Sequence, residues 1–117
     1  MDLLDLVDAL LTHDALRARA WVLESHRRHF EWSCVPRPDG LDRVGLAVAA
    51  GIAELLAQRA GQQPPSWTAG VAGLDEPVFL VRAAAVMPRL RRLCESEGPE
   101  PLRSRGVLAP PDFLTAA

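Results

Sequence analysis

The sequence contains no lysine, no asparagine and no tyrosine, and only 5% of its residues are aromatic. Without lysine the chain cannot carry out Schiff-base catalysis, and it lacks the lysine that clamps phosphates in a P-loop. The scarcity of aromatic residues argues against a nucleic-acid reader that stacks bases on rows of rings. These absences exclude two classes of enzyme and disfavour one class of nucleic-acid binder.

Cysteine is also scarce, since Cys34 and Cys94 are the two in the chain and they form no CxxC pair or disulfide framework. We expect both thiols to be free and buried. The first residues are acidic, beginning with Asp2, where a signal peptide would be positively charged. The longest apolar run, Val44 to Ala53, has ten residues, about half of what a membrane span needs. The sequence therefore predicts a cytoplasmic protein without a membrane segment.

The composition is that of one globular domain: 117 residues, of which 49% are hydrophobic and 24% charged. Apolar residues with helical spacing predict an all-α fold, a single compact domain over residues 1–117 with about five helices and an irregular, proline-rich C-terminal third. A first helix has an apolar face comprising Leu3, Leu6, Val7, Leu10 and Leu11. A second is predicted from an N-cap at Thr12 to about Ser33, with a core-facing stripe of Leu16, Ala20, Leu23 and Phe30.

The third helix, from Leu41 to Ala60, is predicted to be the central one, because it is apolar over most of its surface and rich in small residues. Asp39 is expected to cap its start, and Gly61 follows its end, where a left-handed glycine commonly terminates a helix. Residues 62–66 are predicted to form a corner that Trp67 anchors.

Six prolines divide the last 41 residues into short segments. Residues 78–81 fit either a short strand or the start of a helix, and Pro88 fits the first turn of a helix that ends near Ser96. One helical turn is predicted from Pro99 to Arg105, and residues 112–114 are expected to form a last turn that docks Phe113 onto the body.

No catalytic constellation is visible, because GxGxxG, GxxxxGK[ST] and GxSxG are all absent and no local signature pairs either cysteine with a base. His26, His29 and Cys34 suggest a metal site that His13 or Glu31 could complete, but their spacing matches no standard zinc pattern. The sequence therefore predicts neither an enzyme nor a cofactor nor a metal.

Charge is distributed unevenly: residues 1–81 carry a net charge of -4 and residues 82–117 a net charge of +2. The second region contains a group of arginines that could bind carboxylates or phosphates of a partner, namely Arg89, Arg91, Arg92, Arg103 and Arg105. Trp32 and Trp67 each lie at the end of a predicted helix near a proline corner and are candidate anchors at an interface, although a role in the core is favoured for both.

Four short motifs occur in order: Pro65-Ser66-Trp67-Thr68, then residues 74–79 (LDEPVF), then residues 103–107 (RSRGV), and a terminal segment at residues 112–114. In this order the chain resembles a group of small, largely uncharacterised actinobacterial-type helical proteins and C-terminal modules, over about residues 41–114. These look like antitoxin-like partners in toxin-antitoxin pairs, often beside nucleotidyltransferase-like toxins. The resemblance implies a binding role, and motifs this short transfer no functional residue.

Together these observations predict a non-catalytic interaction domain that neutralises or positions a partner enzyme by docking against it, with the five arginines facing an acidic groove and Trp67 or Trp32 as an anchor. The alternative is a regulatory module whose C-terminal arginines contact DNA phosphates. An apolar face left over on the surface would also allow the domain to form a homo-oligomer.

Overall fold

The computed structural model describes residues 1–115 and shows a mostly helical protein. This part of the chain has five α-helices: α1 (Leu3–Leu11), α2 (Ala15–Arg27), α3 (Arg43–Arg59), α4 (Pro88–Glu97) and α5 (Glu100–Arg103). Three 3-10 turns accompany them, at Trp32–Cys34, Ser66–Gly70 and Arg82–Ala85. Two strands of two residues each, β1 (Val78–Phe79) and β2 (Val107–Leu108), add a minor β element to the predicted helical architecture.

Helix α3 is the central element, as the sequence predicts. Eleven of its residues are buried, and α1, α5 and two of the 3-10 turns pack around it. The contact with α5 is close at Gly51, where an added Cβ would lie 2.7 Å from a methyl carbon of Leu102. The helix begins after Asp42, whose carboxylate accepts a hydrogen bond from the Gly45 amide at 2.7 Å, so the expectation that Asp39 is the cap is wrong. Gly61 adopts φ +68° after the last turn, as predicted.

The turn between α1 and α2 differs from the prediction. Thr12 ends α1 instead of capping α2, and its hydroxyl donates to the carbonyl of Asp8. The cap of α2 is Asp14, which accepts a hydrogen bond from the Arg17 amide at 3.1 Å. Between the two caps His13 adopts φ +57°, which allows the chain to reverse direction in a short connection.

Helix α2 also ends earlier than predicted and buries its other face. It stops at Arg27, and its buried residues are Ala18, Val22 and Ser25. Three of the four residues of the predicted stripe face solvent instead, namely Leu16 (83% exposed), Ala20 and Leu23 (54% exposed). The physical reason is that apolar residues occupy both sides of α2, and the side that packs on α1 and the core is the one that carries Ala18, Trp21 and Val22.

Phe30 lies beyond α2 and belongs to a cluster of three aromatic rings. Its ring centroid lies 5.4 Å from that of Trp21 and 4.8 Å from that of Trp32, both with edge-to-face geometry. Gln62 fixes this segment, because its side chain donates to the Phe30 carbonyl and accepts from the Trp32 amide, each at 2.9 Å. The corner after α3 thereby holds the loop that follows α2.

The C-terminal third wraps the central helix in short segments. Strands β1 and β2 pair in parallel, with Val78 opposite Val107 and Phe79 opposite Leu108. This settles the open choice at residues 78–81 in favour of a strand for the first two positions, and a 3-10 turn follows. Phe113 is half-buried against the main core, as predicted. Across residues 1–115 we find no helix with the length and apolar character that crossing a membrane would require.

Candidate functional site

The five arginines that the sequence analysis assigns to one partner-binding patch do not share a surface. Arg105 is only 8% exposed. One terminal nitrogen donates to Glu54 at 2.7 Å and to the Pro101 carbonyl at 2.9 Å; the other donates to Glu54 at 3.0 Å and to the Thr68 carbonyl at 2.8 Å. This bidentate pair ties α3, the 3-10 turn at Ser66–Gly70 and α5 together. Including Arg105 in an exposed patch is therefore wrong.

The electrostatics around Glu54 follow from this pair. Burial raises the pKa of the Glu54 carboxyl, but hydrogen bonds from Arg105 and Thr68 outweigh burial and hold the pKa below its usual value. The Nε atom of Arg105 is buried and has no hydrogen-bond partner among residues 1–115. The pair is thus a structural clamp, and the guanidinium of Arg105 is directed at the fold and not at solvent.

Two further arginines are held against the body of the protein. The guanidinium of Arg91 lies 5.0 Å from the ring centroid of Phe79, and its Nε donates to Glu95 at 3.2 Å. Arg103 donates to the backbone carbonyl of Ser96. These intramolecular contacts occupy both side chains, which reduces what they can offer to a partner.

Arg89 and Arg92 remain exposed, and their side chains make no ion pair or hydrogen bond with any residue from 1 to 115. They lie three positions apart on α4 and therefore share one face, opposite the buried Cys94. Just before α4, Val86 is 80% and Met87 51% exposed. We call these four residues, Val86, Met87, Arg89 and Arg92, the basic-apolar surface.

Arg89 and Arg92 are predicted from the sequence as partner-binding residues, whereas Val86 and Met87 are not. The one available signal is that this apolar pair stands directly before Pro88, at the start of a helix, where neither residue can join the helical stripe.

Both tryptophans that were considered as interface anchors serve the core. Trp32 is 2% exposed within the aromatic cluster and is inaccessible to a partner. Trp67 is half-buried, and its indole nitrogen donates to the Val35 carbonyl at 2.8 Å. The favoured alternative, that tryptophan closes the proline corner from the inside, agrees with these contacts.

The metal hypothesis gains no support from the geometry, because residues 1–115 hold no group of three His, Cys, Asp or Glu side chains arranged around a common point. The two cysteines differ from each other. Cys94 is buried as expected, and burial raises the pKa of its thiol. The same expectation is wrong for Cys34, which is exposed and donates to a carboxylate oxygen of Glu31 at 3.5 Å.

Compared with protein-family models, with curated proteins and with solved structures, the chain matches none of them. The resemblance to antitoxin-like partners therefore rests on the short motifs, and the function has to be argued from the geometry of the surface.

Proposed function

We propose that this protein is a non-catalytic, antitoxin-like interaction domain that binds a partner enzyme through its basic-apolar surface. The observation that carries the proposal is that two exposed apolar side chains, Val86 and Met87, directly precede a helix that bears two unpaired arginines, Arg89 and Arg92, in its first turns. An apolar centre flanked by arginine is typical of the residues that contribute most to protein interfaces.

The charge of the surface indicates the chemistry of the partner. No acidic residue occurs between Arg82 and Arg92 in the sequence, and Glu95, the nearest on α4, is already paired with Arg91. A complementary groove would therefore carry carboxylates, which Arg89 and Arg92 can bind in the bidentate geometry that guanidinium favours. Val86 and Met87 would fill an apolar pocket of the same groove, and binding would block access to the partner's active site.

The first experiment is a pull-down of the tagged protein from an extract of its own cells, followed by mass spectrometry. The expected result is one stoichiometric protein partner, and a nucleotidyltransferase-like enzyme would agree with the motif resemblance. Isolation of the protein alone would contradict the proposal.

The surface itself is tested with matched variants once the partner is purified. Val86→Gln with Met87→Gln, and separately Arg89→Ala with Arg92→Ala, should each weaken the complex at least about tenfold, because a hot-spot truncation costs about 2 kcal/mol or more and about 1.4 kcal/mol is a factor of ten. The control is Leu16→Gln with Leu23→Gln, which changes an equally exposed apolar pair on α2. If the control weakened the complex as much as the test variants, the loss of affinity would not be specific to the basic-apolar surface, and α4 would no longer be assigned to the interface.

The same two unpaired guanidiniums favour a second candidate function, contact with DNA phosphates. In that case affinity for duplex DNA would fall steeply with salt, with a slope of about -0.9 per phosphate contact in a plot of log affinity against log salt. The exposed Val86 and Met87 favour the protein partner, since phosphate contacts give apolar side chains no role. A gel-shift series at increasing salt separates the two functions.

A further inference from the structure

A cleft of about 370 Å³ opens on another part of the molecule. It lies between the turn that joins α1 to α2, the segment that follows β1, and the chain after β2. Its apolar wall is formed by Leu10, Ala18, Leu80, Pro110, Phe113 and Leu114. This volume falls within the range of about 300–1,000 Å³ that is typical of small-molecule sites.

Two arginines from different elements line this apolar cleft. Arg19 comes from α2 and Arg82 from the 3-10 turn after β1. Neither side chain makes an ion pair or a hydrogen bond with any residue of the described chain, 1–115. The lining therefore includes two arginines whose charge no described protein group neutralises by direct contact.

The acidic groups of the cleft are engaged elsewhere. Asp14 caps α2 and accepts the Arg17 amide. The carboxylate of Asp112 lies near Arg59. Burial lowers the pKa of the Arg59 guanidinium, and the negative charge of Asp112 partly offsets this effect. His13 also lines the cleft. When Arg59, beside Asp112, is counted, three guanidiniums (Arg19, Arg59 and Arg82) stand against two carboxylates, so the net formal charge in and beside the cleft is positive, while its walls are apolar.

We propose that this cleft binds a small apolar carboxylate, such as a medium-chain fatty acid. The hydrocarbon lies against Leu10, Leu80 and Phe113, and the carboxylate is held by Arg19 and Arg82. A carboxylate is the matching charge for a guanidinium pair, and an apolar tail is the matching surface for these walls. The site shares no residue with the basic-apolar surface, so it stands or falls independently of the proposed interaction function.

Calorimetric titration of the full chain with decanoate tests the ligand class, with octanoate and decan-1-ol as comparison ligands. Decanoate should bind with a dissociation constant below about 1 mM, and about fifteenfold more tightly than octanoate, because each of its two additional methylenes strengthens binding about fourfold when buried. Decan-1-ol should bind at least tenfold more weakly than decanoate. Undetectable heat with decanoate, or equal binding of the alcohol, would overturn the proposal.

Variants test the location. Arg19→Gln with Arg82→Gln should weaken decanoate at least tenfold and leave decan-1-ol unchanged, whereas Arg89→Gln with Arg92→Gln should change neither. Ala83→Trp, which fills the cleft, should abolish binding, and Ala85→Trp, an exposed alanine of the same turn outside the lining, is its control. Thermal unfolding of each variant verifies that it is folded. Unchanged decanoate binding in the Arg19/Arg82 variant would refute the site.

Discussion

Replacing Arg105 by methionine should destabilise the protein strongly, because the change removes one partner of a buried ion pair and keeps the apolar stem. Four hydrogen bonds are lost, two of them to Glu54. Breaking a buried pair typically costs about 3–5 kcal/mol. The Glu54 side chain is 22% exposed and can recover some hydration, so we expect the lower end, about 3 kcal/mol. For a domain of this length the corresponding fall in Tm is about 10 °C.

The assay is guanidinium-induced unfolding followed by tryptophan fluorescence, since Trp21 and Trp32 lie in a packed aromatic cluster that unfolding disperses. The matched control is Arg17→Met, which breaks the pair with Asp8 on the surface, where the side chains are 48% and 65% exposed. An exposed pair contributes about 0–1 kcal/mol. The ratio between the two variants therefore measures what burial adds to an ion pair in this fold.

A loss below about 1 kcal/mol in the Arg105→Met variant would refute the reasoning, because it would place the pair in the range of surface pairs. A double variant in which Glu54→Leu is added should be more stable than Arg105→Met alone, because it removes the unpaired carboxylate. The two side chains would not be coupled if adding Glu54→Leu to Arg105→Met lowered the free energy of unfolding by as much as Glu54→Leu lowers it in the wild type.

Three further predictions concern pH, packing and thiol chemistry. The pKa of Glu54 is lower in the folded state than in the unfolded state, so the stability that its carboxylate contributes is present above the unfolded pKa and is lost as the pH falls through the folded pKa. The difference in unfolding free energy between wild type and Glu54→Gln should therefore shrink on acidification. A difference that stays constant with pH would contradict this assignment. Gly51→Ala should lower the free energy of unfolding, measured by chemical denaturation, by about 1–3 kcal/mol, because the added Cβ would clash with α5. The control Gly70→Ala, which has open space around the added Cβ, should change the free energy of unfolding by less than about 0.5 kcal/mol. A thiol-reactive chromophore should label Cys34 at once in the native protein and Cys94 only after unfolding, so fast labelling of two thiols per native chain would disagree with the burial described.

The central helix could be predicted from the sequence because its pattern leaves few alternatives. A run as apolar as residues 44–53 must be buried on nearly all sides. Its composition therefore predicts both that the helix lies at the centre of the fold and that neighbouring elements pack closely against it. Its observed bounds, Arg43–Arg59, differ from the prediction by two residues at the start and one at the end.

The buried face of α2 could not be predicted in the same way. Leu16 and Leu23 face solvent, whereas Ala18, Val22 and the partly buried Trp21 face the core. The spacing of apolar residues predicts that such a helix exists, but it does not predict which face is buried when apolar residues lie on both sides. The buried face is set by how the side chains pack against the neighbouring helix.

Long-range pairing explains the remaining errors at the candidate site. Arg105 lies 51 positions from Glu54, and nothing local to either residue indicates that they meet. Within its own segment Arg105 is indistinguishable from Arg103, so the sequence analysis placed both on one exposed patch. Of the five arginines, Arg89 and Arg92 have no side-chain partner among residues 1–115: Arg89 has no acidic residue three or four positions away on α4, and Glu95, three positions after Arg92, is paired with Arg91.

The clamp formed by Arg105 also determines when this fold can be completed during synthesis. A nascent chain that has grown only to Gly98 already contains α3, but it lacks both α5, which covers Gly51, and the guanidinium that Glu54 requires. The central helix therefore leaves the ribosome with an apolar face uncovered and a carboxylate without its cation. The fold can therefore be completed only after residues 100–105 have emerged, and until then the chain is exposed to aggregation and to chaperones.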